Sequence, residues 1–257
     1  DDGDTDNNSK HFGVVTYTGN GSSNAITGLG FQPDLVWGKC ISASQTGILI
    51  DSSRGQGLLF SSLANAEQTS NGPFMTSYDS DGFTLASSGS NPNDSGRTYV
   101  AWCWRANGAS TSSNSSGSIT STVQANTKGG FSIMTYTGTG SNATIGHGLS
   151  AKPDFILTKR RSSEQTWGVY HTSLGATKYL ALNSSAAAGT DSTFWNNTEP
   201  TTSVISLGTE GRVNQNSGTY VAYAWHSVSG FSRFGSFQGN ADNDGTYIFC
   251  GFKPTML

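Results

Sequence analysis

Charge is scarce in this chain: 12% of its 257 residues are Asp, Glu, Lys or Arg, against roughly 25% in an average globular protein. The 14 basic and 17 acidic residues leave a net charge of −3. That leaves no basic field for phosphates, which argues against nucleic acid as a partner. No apolar run approaches the length of a membrane span, so no membrane insertion is expected. No signal-peptide pattern opens the chain. Cysteine is limited to three residues, Cys40, Cys103 and Cys250. An odd number with no recurring pair gives no disulfide framework, and they read as free thiols buried in strands. The clustering of His and Cys that a metal site needs is missing. The four histidines, His11, His147, His171 and His226, show neither metal spacing nor a G-x-S-x-G nucleophile nearby. Paired carboxylates for glycoside hydrolysis can come from anywhere in a chain, but nothing points to them here. The expectation is a protein with no catalytic residues, no metal and no cofactor.

What the chain has in quantity is glycine, 33 residues, with 11% aromatics. Disordered chains are typically aromatic-poor and highly charged, so this composition belongs to a folded protein. Aromatic and β-branched runs separated by small polar residues imply many short strands joined by tight turns. The fold class expected is all-β.

One block organises the sequence. It reads Phe12-Gly13-Val14-Val15-Thr16-Tyr17-Thr18-Gly19-Asn20-Gly21, followed by Phe31-Gln32-Pro33-Asp34-Leu35-Val36. It returns as Phe131-Ser132-Ile133-Met134-Thr135-Tyr136-Thr137-Gly138-Thr139-Gly140, followed by Lys152-Pro153-Asp154-Phe155-Ile156. A third, altered form begins at Gly230-Phe231 and reaches Phe237-Gln238-Gly239-Asn240 and Gly251-Phe252-Lys253-Pro254. A spacing of more than 100 residues is too long for a solenoid repeat and right for a domain. The organisation expected is therefore an acidic leader over 1–9, a β-sandwich repeat over 10–106 and a Ser/Thr/Asn-rich linker over 107–128. A second repeat follows over 129–228. Residues 229–257 either start a third repeat or complete the second. The opening on Asp1 rather than Met, with the altered block at the other end, reads as a piece of something longer.

Within this frame the strands can be placed. Residues 13–18 alternate, the turn at Thr18-Gly19-Asn20-Gly21 leads to a short strand around Ala25-Ile26, and the two read as a hairpin. Further strands are expected over 46–51, 57–61 and 83–86, the last after a Gly-assisted turn at Asp79-Ser80-Asp81-Gly82. Thr98-Tyr99-Val100-Ala101-Trp102-Cys103-Trp104 and Thr219-Tyr220-Val221-Ala222-Tyr223-Ala224-Trp225 are apolar on both faces, as central strands covered on both sides would be. Residues 107–117 read as a flexible linker, while 118–123 could add an edge strand to a neighbouring domain. In the leader, Asp2, Asp4 and Asp6 have the alternate spacing of a calcium loop. Asn7 stands where such a loop needs Gly, however, and Gly13 where it needs Glu, so a solvated leader is the reading.

Most matched residues read as structural, because a group present in both copies serves the shared fold. Asp34 and Asp154 follow Pro33 and Pro153, while Asp51 becomes His171 and Arg54 becomes Leu174. One stretch has no earlier counterpart: Phe194-Trp195-Asn196-Asn197-Thr198-Glu199-Pro200. Aromatic rings stack on sugar faces while amides and a carboxylate bond hydroxyls. Trp195, Asn196, Asn197 and Glu199 are the candidate ligand-binding residues, against the reading that the aromatics plug the end of the sandwich.

The run of motifs resembles an uncharacterised repeated domain of marine bacteriophage proteins, of the kind labelled virion structural or tail-fibre. The likeness is carried by Tyr17-Thr18-Gly19-Asn20-Gly21-Ser22, Gly30-Phe31-Gln32-Pro33-Asp34-Leu35-Val36-Trp37, Asp79-Ser80-Asp81-Gly82-Phe83 and Tyr99-Val100-Ala101-Trp102-Cys103-Trp104. The resemblance implies tandem lectin-like antiparallel β-sandwiches and a place on the extracellular surface of a virion. It brings no catalytic residues. The function it suggests is a tail-fibre or adhesin module displaying loops to a host-surface polysaccharide or receptor. Its partners would be other virion proteins and copies of itself, and a homotrimer would suit a fibre. A capsid decoration or head-fibre protein with a purely structural role, and a secreted polysaccharide-binding module, are the alternatives.

Overall fold

A computed structural model of the chain describes residues 10–69, 74–87 and 92–256. The acidic leader, with its calcium-like spacing, lies outside the described residues. The fold is all-β with antiparallel sheets, as expected; its only helices among the described residues are two single turns.

The N-terminal half contains β1 (Phe12–Thr18), β2 (Asn24–Thr27), β3 (Leu35–Cys40), β4 (Ile48–Asp51), β5 (Leu59–Phe60), β6 (Met75–Asp79), β7 (Gly82–Leu85) and β8 (Thr98–Trp104). They form a five-stranded sheet in the order β1-β8-β3-β4-β5 and a three-stranded sheet in the order β2-β7-β6. Between them lies an apolar core that includes Val36, Ile50, Phe83, Leu85, Ala101 and Cys103. The alternation of β8 explains its central place. Tyr99, Ala101 and Cys103 point into this core and are fully buried, and Val100, Trp102 and Trp104 take the other face.

β1 and β2 do not make a hairpin. β1 pairs with β8, and β2 pairs with β7 in the opposite sheet. The Thr-Gly-x-Gly turn instead carries the chain from one layer to the other. Gly19 donates to Arg97 O at 2.8 Å and Gly21 to Asn93 O at 2.9 Å, which ties the turn to the segment entering β8. A Cβ on Gly19 would come within 2.3 Å of Asp94 O, and one on Gly138 within 2.4 Å of Gln215 O. The close backbone approach is the reason glycine stands at this point in both blocks.

The C-terminal half comprises β9 (Ser112–Asn114), β10 (Ser121–Asn126), β11 (Phe131–Thr137), β12 (Ala143–Gly146), β13 (Phe155–Arg160), β14 (Gly168–His171), β15 (Lys178–Tyr179), β16 (Gly189–Thr190), β17 (Val204–Leu207) and β18 (Thr219–Trp225). The single-turn helices are α1 (Ser192–Trp195) and α2 (Gly211–Asn214). The large sheet runs β14-β13-β18-β11-β10-β9 and faces the pair β12-β17. The arrangement of the N-terminal half recurs: β18 lies between β11 and β13 as β8 lies between β1 and β3. The matched tyrosines sit opposite each other in both ladders, Tyr17 with Tyr99 and Tyr136 with Tyr220, with stacked rings about 5 Å apart.

The stretch expected to be a flexible linker is built into the fold. Ala106, Gly108 and Ala109 N–H all donate to the buried Asp34 carboxylate at 2.7–2.9 Å. β9 and β10 then add two strands outside β11, and Ile119 bridges to Ile145. Small hydroxyl side chains kept this stretch polar in sequence without preventing it from pairing. Residues 229–256, in contrast, form no named strand; one bridge, Val228 to Ser232, is the start of a turn.

The two halves pack through the outer faces of their large sheets. Leu35, Leu49 and Leu59 from one half meet Leu157, Trp167 and Tyr223 from the other in a third apolar cluster. This is why β18 is buried on both faces while β8 remains half-open on one. Backbone bonds cross the boundary from Glu67 N to Arg161 O and from Gln165 N to Ala64 O. Trp167 Nε1 reaches Phe60 O at 2.9 Å. The fully buried Lys159 donates to Ala64 O at 2.8 Å, and burial holds its pKa down at about 8.

Candidate functional site

The four residues expected to bind sugar stand together, but their roles divide. Asp191 caps α1 by accepting the Thr193 N–H at 2.8 Å, and the turn buries both of its aromatic residues. Trp195 is 1% exposed and packs edge-to-face on Tyr170 at 5.9 Å. Phe194 stacks on Tyr179 at 3.9 Å, with the Arg212 guanidinium over its ring. The indole is therefore core and cannot serve as a platform for a sugar face. Asn196 and Asn197 end the helix in successive left-handed conformations, φ 51° and 48°, where Asn is among the few non-glycine residues tolerated. Both are exposed, and Asn142 donates to Asn196 Oδ1 at 2.9 Å. Glu199 is already committed: it accepts from Lys152 Nζ, Tyr170 OH and Ala176 N. Burial alone would raise its pKa, but these three donors outweigh that and lower it. Only the exposed asparagine amides remain free to meet a ligand.

A second cluster lies between the halves. Arg54, fully buried, pairs with the buried Asp51 and with Glu67. Tyr223 from the C-terminal half donates to Asp51 Oδ2 at 2.6 Å, and Arg161 binds Glu67 at 2.8 Å. Burial opposes the charge on Arg54, yet Asp51, Tyr223 and Glu67 together raise its pKa. The Tyr223 hydroxyl is pushed up by burial first. A group this enclosed has no path to a substrate; its chemistry is that of a clamp. The exchange of Asp51 for His171 and Arg54 for Leu174 is thereby explained, since the clamp is built once, between unlike surfaces.

At one end of the large sheets the strand termini converge on an aromatic cluster. Trp104 meets Phe12 at 4.9 Å and Trp225 at 5.8 Å, and Phe155 contacts Trp225 and stacks on Phe234. Together with residues 230–256 this cluster borders an open groove of about 1250 Å³. Its walls are mainly apolar, with the half-buried His171 on one side; burial lowers the pKa of that imidazole, against the pull of Asp154. Among the described residues no group of three or more His, Cys, Asp or Glu side chains could hold a metal ion, and no helix is long and apolar enough to cross a membrane.

A protein-family model described as "Domain of unknown function (DUF7483)" matches residues 7–257. The chain belongs to that family. The match is continuous through both halves, the segment between them and residues 226–256, so the DUF7483 unit contains the clamp and the aromatic end as well as the sheets. No match was found among curated proteins, nor among solved structures.

The matched residues missed in the sequence are buried asparagines. Asn93 and Asn214 each tie the Thr-Gly-x-Gly turn of their half to the strand entry. The signal was available, since each precedes its matched tyrosine, Tyr99 or Tyr220, by the same six positions. A lysine pair is equally regular: Lys39 and Lys159 bind the carbonyls of Gln45 and Gln165.

Proposed function

We propose that this DUF7483 chain is a bacteriophage virion structural protein whose main role is scaffolding, each half serving as a lectin-like sandwich module. The carrying observation is where the shared side chains go. Asn93 and Asn214, Tyr99 and Tyr220, Asp34 and Lys159 are buried and engaged in holding turns and strands. These shared polar groups are spent on the fold itself, which speaks for architecture over chemistry. The motif resemblance to phage structural proteins supports the virion location. Low charge suits close packing of identical chains, because self-repulsion is weak. The test is to locate the chain on purified particles by cryo-EM, at the tail or on the head. Its absence from the particle would end this reading.

Host-glycan display is a second reading, favoured by the exposed amides of Asn142, Asn196 and Asn197 beside one another. A glycan array would test it with the Asn196→Ala/Asn197→Ala pair as control. Binding that the pair abolishes supports display; an array with no signal removes it and leaves the scaffold.

A further inference from the structure

Among the described residues, β1 is paired by β8 alone and forms the open edge of its sheet. Its counterpart β11 is enclosed, with β18 on one side and β10 on the other. The remaining edges of the two large sheets are guarded: β5 has two residues, β9 three, and β14 is bridged to Leu180. β1 has seven residues, Phe-Gly-Val-Val-Thr-Tyr-Thr, with no charge, no proline and no bulge in its ladder. Native proteins rarely leave such an edge unpaired, because its free N–H and C=O groups are a template for another strand.

Residues 235–256 present the complementary feature. They form no ladder, yet Phe237, Tyr247, Ile248 and Phe249 are exposed. Thr246-Tyr247-Ile248-Phe249-Cys250 is uncharged and made mostly of strong strand formers. The chain's own connectivity relates the two. The segment leaving β8, the central strand of one half, runs on to become β10, the outer strand on β11 of the next. The segment leaving β18 holds the same position in the order of the chain and has no strand beside it.

We propose that residues 246–250 of one molecule pair along β1 of a second copy of this chain. Backbone hydrogen bonds would supply affinity and the alternating side chains specificity. Ile248 then lies on one face and Tyr247 and Phe249 on the other. β1 offers apolar neighbours for both: Val15 and Tyr17 pack on the core side, and the half-buried Trp102 lies opposite Val14 in the ladder. A neutral strand meets a neutral edge. The contact joins unlike surfaces, so repetition closes a ring or extends a fibre. The leader is a poorer occupant by composition, since Asp1, Asp2, Asp4 and Asp6 replace the Ser, Thr and Val found in β10. None of this depends on where the protein resides.

Sedimentation velocity on the full chain over a wide concentration range tests the proposal with two sets of surface substitutions. Thr16→Lys blocks the edge, and Tyr247→Asp/Phe249→Asp blocks the donor. All three side chains are exposed, and circular dichroism verifies that the sheets are retained. The wild-type chain is expected to assemble as concentration rises, and each variant alone to remain a monomer. A one-to-one mixture of the two is expected to form a dimer that grows no further, because only one edge and one donor remain usable. A monomeric wild type, assembly unchanged in either variant, or a mixture that stays monomeric would overturn the proposal. A monomer whose β1 amides lose exchange protection when residues 1–9 are removed would assign the edge to the leader instead, and overturn it equally.

Discussion

Asn93 and Asn214 occupy the same position in the two halves, and neither is exposed to solvent. Each side-chain oxygen accepts a turn N–H, from Asn20 at 3.1 Å and Thr139 at 2.8 Å. Each amide donates to a turn carbonyl, Ser22 or Ser141, and to a second one, Ala86 or Gly208. Replacing Asn214 by Ala leaves the Thr139 N–H and the Ser141 and Gly208 carbonyls without this partner, the last of them buried, at a cost of about 1–3 kcal/mol. Asn214→Asp is expected to be at least as damaging despite its shape, because a carboxylate oxygen would face two carbonyls. Urea denaturation of the three proteins checks this order.

The Arg54 clamp predicts how the halves unfold. Because the halves share an apolar cluster and this clamp, calorimetry on the wild-type chain should show a single transition. Arg54→Leu leaves the buried Asp51 without a counter-charge and Glu67 with Arg161 alone, and breaking a buried pair in this way costs about 3–5 kcal/mol. The transition should then fall in temperature and split. Tyr223→Phe removes the hydroxyl that donates to Asp51 and accepts from Arg54 and should cost less, about 1–3 kcal/mol. The double variant should cost less than the sum of the two, since both changes act on Asp51.

How much of this was legible follows from what each signal encodes. The central strands could be read because a run such as Tyr220-Val221-Ala222-Tyr223-Ala224 is apolar in both phases of a two-residue period. That pattern says both faces are covered but not by what, so the contact of β18 with the other half had no separate sign. The turn at Gly19 is visible in the sequence as a turn, yet glycine marks a hairpin and a crossing between layers alike. Residues 107–117 look flexible by composition, and only the buried Asp34, distant in sequence, shows what anchors them. Trp195 stands beside amides and a carboxylate in the sequence, but a single turn of helix decides whether an indole faces water or core.

Trp195 therefore carries a stability prediction in place of a binding one. With 1% exposure and an edge-on contact to Tyr170, Trp195→Ala opens a cavity expected to cost about 3–5 kcal/mol. The loss should appear in thermal denaturation whether or not any ligand is present. A stability unchanged by the substitution would return the indole to the surface.

His147 makes the fold sensitive to acid. It is fully buried; Leu149 N–H donates to Nδ1, which leaves Nε2–H to donate to Thr201 O at 3.3 Å. Burial is the main force holding its pKa down at about 4, against an ordinary value of 6.5. Between those values the unfolded chain binds a proton that the folded chain refuses, so stability falls as pH drops from 6.5 towards 4. The loss attributable to this one group is about 3 kcal/mol. His147→Gln retains an acceptor and a donor but cannot titrate there. Denaturation curves at steps across that range should show a shallower acid slope for the variant, by about one proton. Equal slopes in the two proteins would mean the imidazole is not held neutral.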